Sequence, residues 1–235
     1  NTKFINYYIS VSYKKKINTE STQNLKHNTM DRIVTIFKNI KETQTPFHRD
    51  VLVVLDRIKK GASKTLVKEI REEKDKTSRN DIKKLLPAVC FSGRFNKRAD
   101  SSLGEHNGLI CLDFDGYKKK KDMLGYKEFL SKDKFVFSVF ISPSGNGLKA
   151  LVKIPADAEK HVSYFNALKT HFDVEEFDVT SKNVSRVCYE SYDPLIYVNE
   201  NSSVWDKEEE PVYVEVVSRR DPHTIPITDE NKIAD

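Results

Sequence analysis

The spacing of apolar residues changes several times along the chain, and each spacing predicts a different kind of element. Apolar and polar residues alternate over 4–13, which predicts a strand, and a second β-rich run covers 32–38. Over 49–60 and 64–74 the apolar residues recur every three or four positions, which predicts two amphipathic helices, and Gly61 ends the first. The first third of the chain therefore mixes strands with helices.

The remainder of the chain continues this mixture with more strongly apolar runs. Ser78 is placed to cap a short helix that ends before Pro87, and further helices are predicted over 122–131 and 157–172. Short strands are predicted at 88–92, 109–115, 135–141 and 150–154. The last two strands flank a turn rich in Ser, Gly and Asn, so they form a hairpin. We therefore expect an α+β fold in which a mixed or antiparallel sheet holds strand 109–115 beside this hairpin, with helices packed on the sheet.

The length of 235 residues fits one domain with extensions, since a domain usually has about 100–200 residues. We expect an N-terminal strand and polar linker (1–31), a core (32–205), and a C-terminal segment (206–235) that is a tail or the start of a further domain. A hydrophobic content of 38%, with 13 Phe and 10 Tyr, is enough to build a buried core.

The charge and the cysteine content give limited information about the partners and the cellular compartment of the protein. The chain has 40 Lys and Arg against 35 Asp and Glu, and this mild positive excess permits a polyanionic partner without demanding one. Cys90, Cys111 and Cys188 lie in or beside apolar runs, which is typical of reduced, buried thiols in a cytoplasmic protein. No apolar run approaches the ~18 residues that a membrane span needs, so no membrane partner is expected.

The strongest candidate for chemistry is the end of the strand Leu-Ile-Cys-Leu at 109–112, where Asp113 and Asp115 lie one residue apart. Side chains of a strand alternate between faces, so the two carboxylates point the same way and Phe114 points to the other side. Carboxylates that share a face repel each other unless a cation lies between them, and Mg²⁺ or Mn²⁺ accepts such oxygen ligands. Alternatively, one Asp caps a turn and the other is solvated at the strand end.

The hairpin turn at 142–149 is a candidate anion site. Gly145 and Gly147 allow main-chain amides to approach an anion closely, and Ser144 and Lys149 add side-chain donors. The alternative is that the segment is a plain hairpin with no binding role.

The segment 93–98 joins basic side chains to an aromatic ring. Arg94, Lys97 and Arg98 surround Phe95, and such a loop suits a nucleic-acid backbone with one stacked base. The alternative is a solvated surface loop with Phe95 turned inward.

Four ordered segments together resemble a known family. They are 85–93, 106–116, 141–149 and 178–194, and they are similar to the BT4734-like (VirE N-terminal-like) family, which resembles the archaeo-eukaryotic primase superfamily of primase-polymerases. The resemblance covers roughly residues 32–200. Catalytic cores of CRISPR-associated primase-polymerases are also of this kind, although no feature of the chain fixes that setting.

The resemblance implies template-directed nucleotidyl transfer on a single-stranded DNA template with a primer, using dNTPs or NTPs and two Mg²⁺ or Mn²⁺ ions. The implied metal ligands and catalytic residues are Asp113, Asp115 and Asp178. The implied nucleotide-binding residues are Ser142, Ser144, Gly145, Asn146, Gly147, Lys149 and Arg186. The chain departs from the pattern at Lys149, where many members have His; lysine offers a positive donor to a triphosphate but cannot act as a neutral imidazole.

The sequence is also compatible with two other classes of protein. Asp113-Phe114-Asp115-Gly116 also resembles the DxDG motif of haloacid dehalogenase-like phosphatases, whose first Asp is a nucleophile. Those enzymes need a strand-plus-helix series after the motif and a late acidic pair, and neither is visible here. The second alternative is a non-catalytic module that binds single-stranded nucleic acid.

Overall fold

The computed structural model describes residues 32–209. The strand predicted at 4–13 lies outside the described residues, as does most of the segment after 205. Within 32–209 the α-helices are α1 (Val51–Lys60), α2 (Lys64–Glu72), α3 (Lys76–Lys83), α4 (Lys120–Lys132) and α5 (His161–Phe172). A 3₁₀ turn covers Asp100–Ser102.

The strands of the described part are β1 (Ile33–Phe37), β2 (Phe47–Asp50), β3 (Ala88–Cys90), β4 (Gly93–Phe95), β5 (Leu103–His106), β6 (Leu109–Phe114), β7 (Val136–Ile141), β8 (Leu148–Lys153), β9 (Cys188–Tyr189) and β10 (Tyr197–Val198). They form two four-stranded sheets, β2-β1-β3-β9 and β10-β7-β8-β6, and a two-stranded sheet, β4-β5. Neighbouring strands in these sheets are antiparallel. The predicted α+β fold is confirmed, and so is the position of the 109–115 strand beside the hairpin.

The sheet β10-β7-β8-β6 is buried on both faces. Leu112 and Phe114 of β6 belong to a core cluster with residues of α4 and α5. Leu109 of β6 and Leu151 of β8 face the other way and pack with residues of α1, β1 and β3. The near-continuous apolar run of β6 follows from this, since each face of the strand needs apolar side chains.

Local capping explains where α1 begins and ends and where α3 begins. The Asp50 carboxylate accepts the Leu52 amide at the start of α1, and Gly61 ends the helix in the left-handed conformation, at φ 84°. The predicted cap of α3 was wrong: Asp75 caps the helix, and Ser78 donates its amide to that carboxylate. An ionised carboxylate one turn earlier is a stronger acceptor than the Ser78 hydroxyl.

The three cysteines are free thiols, and Cys90 and Cys188 are buried, as the sequence predicts. Over residues 32–209 every helix is too short or too polar to cross a membrane.

Candidate metal centre

Three carboxylates converge at the end of β6. One side-chain oxygen from each of Asp113, Asp115 and Asp178 lies within 4.8 Å of the others. The Asp178 amide donates to Asp113 O and the Asp115 amide donates to Glu176 O, both at 2.8 Å. Residues 176–178 thus pair with the end of β6 by main-chain hydrogen bonds, which brings the distant Asp178 to the other two. The structure places the three predicted residues together.

Aromatic side chains pack around Phe114, on the face of β6 opposite the carboxylates. Phe114 lies between Asp113 and Asp115 and points into the core, as strand alternation predicts. Its ring makes edge-to-face contacts with Phe172 at 5.9 Å, and with Tyr126 and Phe177 at 5.3 Å. Such aromatic pairs are worth roughly 0.5–1.5 kcal/mol each beyond the area they bury. The side chain between the two carboxylates is therefore fixed, which limits the movement of its neighbours.

Cations from two other segments contact the carboxylates. Lys149 lies opposite Asp113 in the β6–β8 register, forms an ion pair with it, and lies 4.0 Å from Asp115 Oδ2. Arg186 Nη2 lies 3.1 Å from Asp178 Oδ2. The predicted repulsion between Asp113 and Asp115 is thus relieved by Lys149 from the neighbouring strand.

Burial and these charges set the protonation of the site. Burial raises the pKa of Asp113, and the Lys149 charge opposes that rise. For Lys149, burial acts to lower the pKa, but the charge of Asp113 outweighs it and the net shift is upward. Burial would raise the pKa of Asp178, but hydrogen bonds from Thr180 and the charge of Arg186 lower it overall. Lys149 therefore carries its positive charge at neutral pH.

The donor set fits a hard divalent cation. Asp113 is only 7% exposed, yet its Oδ1 is buried without a hydrogen-bond partner among the described residues. A buried carboxylate oxygen without a partner is costly, and Asp113 belongs to a cluster with two further carboxylates. All-oxygen, acidic ligand sets are those that Mg²⁺ and Mn²⁺ prefer.

The Ser142–Gly147 turn lies directly against this cluster. The Ser142 amide donates to Gly147 O at 2.8 Å, and the Gly145 amide donates to Ser142 O at 3.0 Å. Gly145 has φ 77°, which favours glycine. A Cβ on Gly147 would lie 2.8 Å from Phe114 O and against the Asp115 carboxylate. Both glycines are thus required, one by the conformation of the turn and the other by its closeness to Asp115.

The remaining predicted nucleotide-binding residues differ in exposure around this turn. Ser142 is buried and its Oγ has no hydrogen-bond partner among residues 32–209. Ser144 is half-buried, and Asn146 is exposed. The polar atoms of the turn therefore extend from the carboxylates outward to solvent.

Of the two interpretations of Phe95 that the sequence left open, the structure supports the one in which Phe95 turns inward, so the ring does not stack on a base. Residues 93–95 form β4 rather than a loop, and Phe95 is fully buried with Phe37 and Cys90. Period-2 alternation, which the short run Gly-Arg-Phe hardly shows, sends Phe95 inward and Arg94 outward. Arg94 pairs with Glu105 of β5 at 3.2 Å, whereas Lys97 and Arg98 are exposed after the strand. The three basic residues are on the surface, and their binding role stays a prediction.

Two cations near the site were missed by the sequence reasoning. Lys83 is half-buried at the end of α3, where burial and the Lys149 charge lower its pKa and the charges of Asp115 and Asp113 oppose this. Arg71 of α2 donates to main-chain oxygens of the turn. Both residues belong to helices whose outer faces are densely charged, so the sequence alone does not separate them from solvated neighbours.

The fold and the site together define an α+β domain with a carboxylate cluster on a buried antiparallel strand. The family described as BT4734-like, N-terminal domain, matches residues 80–198, just over half of the 235 residues. The chain therefore belongs to this family, and the predicted resemblance is confirmed. The match includes all three aspartates, the turn and Arg186, and leaves α1 and α2 outside it.

One solved structure that is similar to this chain is a domain of a primase-polymerase. The AEP domain of the cyanophage S-2L primase-polymerase (PrimPol) is similar with 13% identity and a TM-score of 0.39, over 74% of this chain and 83% of that one. No curated protein matches the chain.

Proposed function

We propose that the chain is the catalytic core of a primase-polymerase that joins nucleotides on a single-stranded DNA template. The observation that carries the proposal is the convergence of Asp113, Asp115 and Asp178 next to Lys149 of β8. A carboxylate cluster and a lysine on one surface suit a substrate that brings both divalent ions and phosphates.

Asp113, Asp115 and Asp178 would hold two Mg²⁺ or Mn²⁺ ions, which when bound supply activation of a 3′-hydroxyl and stabilisation of the leaving pyrophosphate. The residues of the chain provide the remaining positive charge. Lys149 and Arg186 lie at the cluster and donate to the triphosphate, and the polar atoms of Ser142, Ser144 and the turn amides orient it. Arg94, Lys97 and Arg98 would contact the template backbone.

The two alternatives from the sequence fit this site less well. Haloacid dehalogenase-like phosphatases need further strand-plus-helix units after the DxDG motif, whereas β6 pairs antiparallel with β8 of a hairpin. A non-catalytic module that binds single strands has no use for three carboxylates within 4.8 Å of one another, because carboxylates repel the phosphate backbone.

Metal-dependent incorporation of labelled nucleotides tests the proposal. We expect the wild type to extend a primed single strand with Mg²⁺ or Mn²⁺, and Asp113→Asn to lose at least a hundredfold in rate while single-strand binding is retained. Asp122→Asn is the matched control, because Asp122 is an exposed carboxylate of α4 outside the cluster. Binding of single strands without incorporation would favour the non-catalytic module, and hydrolysis of phosphate esters would favour the phosphatase.

A further inference from the structure

The Ser142–Gly147 turn is held from outside by a side chain distant in sequence. Arg71, near the end of α2, donates from Nη2 to Ser142 O at 3.2 Å and from Nε to Pro143 O at 3.3 Å. The same Nη2 donates to Tyr192 O at 3.0 Å. One guanidinium therefore joins three segments: α2, the start of the turn, and the loop around Tyr192.

The loop around Tyr192 also contacts Ile141, the residue that precedes the turn. Ser191 Oγ donates to Ile141 O at 2.6 Å, and Asp193 Oδ2 accepts the Ile141 amide at 2.9 Å. Asp193 is buried and is itself fixed by Lys127 Nζ at 2.6 Å. The segment 191–193 thus fixes the last residue of β7, immediately before the turn that Arg71 contacts. Ser191-Tyr192-Asp193 was part of the family resemblance, but the proposed function gives it no role.

Arg71 also packs against the tip of the turn. A Cβ built on Gly145 would lie 3.3 Å from Arg71 Nε and 3.4 Å from Arg71 Cδ. Within residues 32–209, Arg71 has no carboxylate within ion-pair distance, and its hydrogen bonds go to carbonyl oxygens. The planar fork of donors on a guanidinium can hold several fixed acceptors at once, whereas the ammonium of a lysine is a single point.

We propose that Arg71 is a positioning residue for the nucleotide-binding turn, acting through the carbonyls of Ser142 and Pro143 rather than on the triphosphate itself. This inference rests on the proposed function. The turn sets the distance between Gly147 and the Asp115 carboxylate, and it leads directly into Lys149 on β8. Arg71 lies outside the matched residues 80–198, so α2 would complete a site that the matched segment does not complete alone.

Two substitutions separate position from charge. Arg71→Ala removes the charge and the hydrogen bonds, whereas Arg71→Lys keeps the charge but loses the planar fork of donors that reaches the three carbonyls. We expect both variants to raise the KM for nucleotide about tenfold, with a smaller effect on kcat and unchanged Mn²⁺ affinity. Hydrogen exchange of the Gly145 amide, which donates within the turn, should be faster in both.

Two controls exclude indirect effects. Lys68→Ala removes an exposed cation from the same helix, and Ile70→Val loosens the buried face of that helix without touching the turn. Both controls should keep the wild-type KM and Gly145 exchange, although Ile70→Val lowers the unfolding temperature.

The outcomes decide between the possible roles. Arg71→Lys with a wild-type KM would show that charge alone matters, and an unchanged KM in Arg71→Ala would show that the turn does not depend on this residue; either overturns the inference while leaving the proposed function intact. A raised KM in Ile70→Val equal to that of Arg71→Ala would reduce Arg71 to a general stability role. A wild-type chain that incorporates no nucleotide would defeat the proposed function, and this inference with it.

Discussion

Gly147 lies in close contact with both the end of β6 and the carboxylate cluster. In Gly147→Ala the new methyl carbon would lie 2.8 Å from Phe114 O, 3.2 Å from Ser142 Oγ, and against the Asp115 carboxylate. The main-chain oxygen belongs to β6 and cannot move away without disturbing the strand. Asp115 must therefore rotate out of the cluster, or the turn must separate from β6.

The size of the effect follows from these contacts. Inserting a methyl group into a filled space costs about 1–3 kcal/mol, and each kcal/mol lowers the unfolding temperature of a domain of this size by roughly 2–4 °C. We expect Gly147→Ala to unfold roughly 2–12 °C below the wild type. Calorimetric titration should also show weaker Mn²⁺ binding, because the Asp115 carboxylate is displaced.

Gly125→Ala is the matched control. It makes the same substitution in α4, where a Cβ would meet no heavy atom within 4 Å, and replacing a helical glycine by alanine gains up to about 1 kcal/mol. Equal stability and equal Mn²⁺ affinity in Gly147→Ala and the wild type would refute the close packing of the turn on Asp115.

Three further predictions concern other charged or titratable groups. His106 Nδ1 accepts a main-chain amide at 3.1 Å, so its Nε2 donates to His161 Nδ1 at 3.0 Å, and burial lowers the two pKa values from 6.5 to about 4 and about 3. As the pH falls, the histidines of the unfolded chain are protonated before the buried pair is. The stability that the neutral pair contributes is therefore full above about pH 6.5 and is lost as the pH falls toward 4. An unfolding temperature that does not change between pH 7.5 and pH 5 would contradict this. Lys83→Ala should raise the KM for nucleotide several-fold and Lys84→Ala should not, because Lys83 is half-buried beside the carboxylates whereas Lys84 is exposed and paired with a nearby aspartate; equal values in steady-state kinetics would remove Lys83 from the site. Lys149→Ala should weaken nucleotide use about ten- to hundredfold with little effect on single-strand binding, and Lys149→His should retain more activity than the alanine variant; an alanine variant with unchanged nucleotide dependence would place the triphosphate site elsewhere.

The sequence predicted those parts of the site that depend on local order along the chain. Strand alternation alone puts Asp113 and Asp115 on one face and Phe114 on the other, and a Ser/Gly/Asn turn between apolar runs predicts the hairpin. The place of Asp178 came only from the family resemblance, because its approach to Asp113 depends on main-chain pairing between distant segments.

Other parts depend on packing that no local pattern encodes. The sequence left open whether Phe95 is exposed for stacking or turned inward, and pairing of β4 with β5 places it in the core. Arg71 is one of many charged residues on α2, and its role follows from the distant turn that lies against it. The Lys149–Asp113 pair likewise follows from the register of β6 with β8, which is a property of the sheet.

Binding of Mn²⁺, followed by electron paramagnetic resonance with and without a nucleoside triphosphate, tests most directly whether the three carboxylates hold catalytic ions. We expect the wild type and Asp122→Asn to bind Mn²⁺ more tightly when the triphosphate is present. Asp113→Asn and Asp178→Asn should lose at least tenfold in Mn²⁺ affinity while remaining folded, although loss of the buried Lys149–Asp113 ion pair lowers the unfolding temperature of Asp113→Asn. Folded Asp113→Asn protein that binds Mn²⁺ as tightly as the wild type would show that the three carboxylates do not hold the ions.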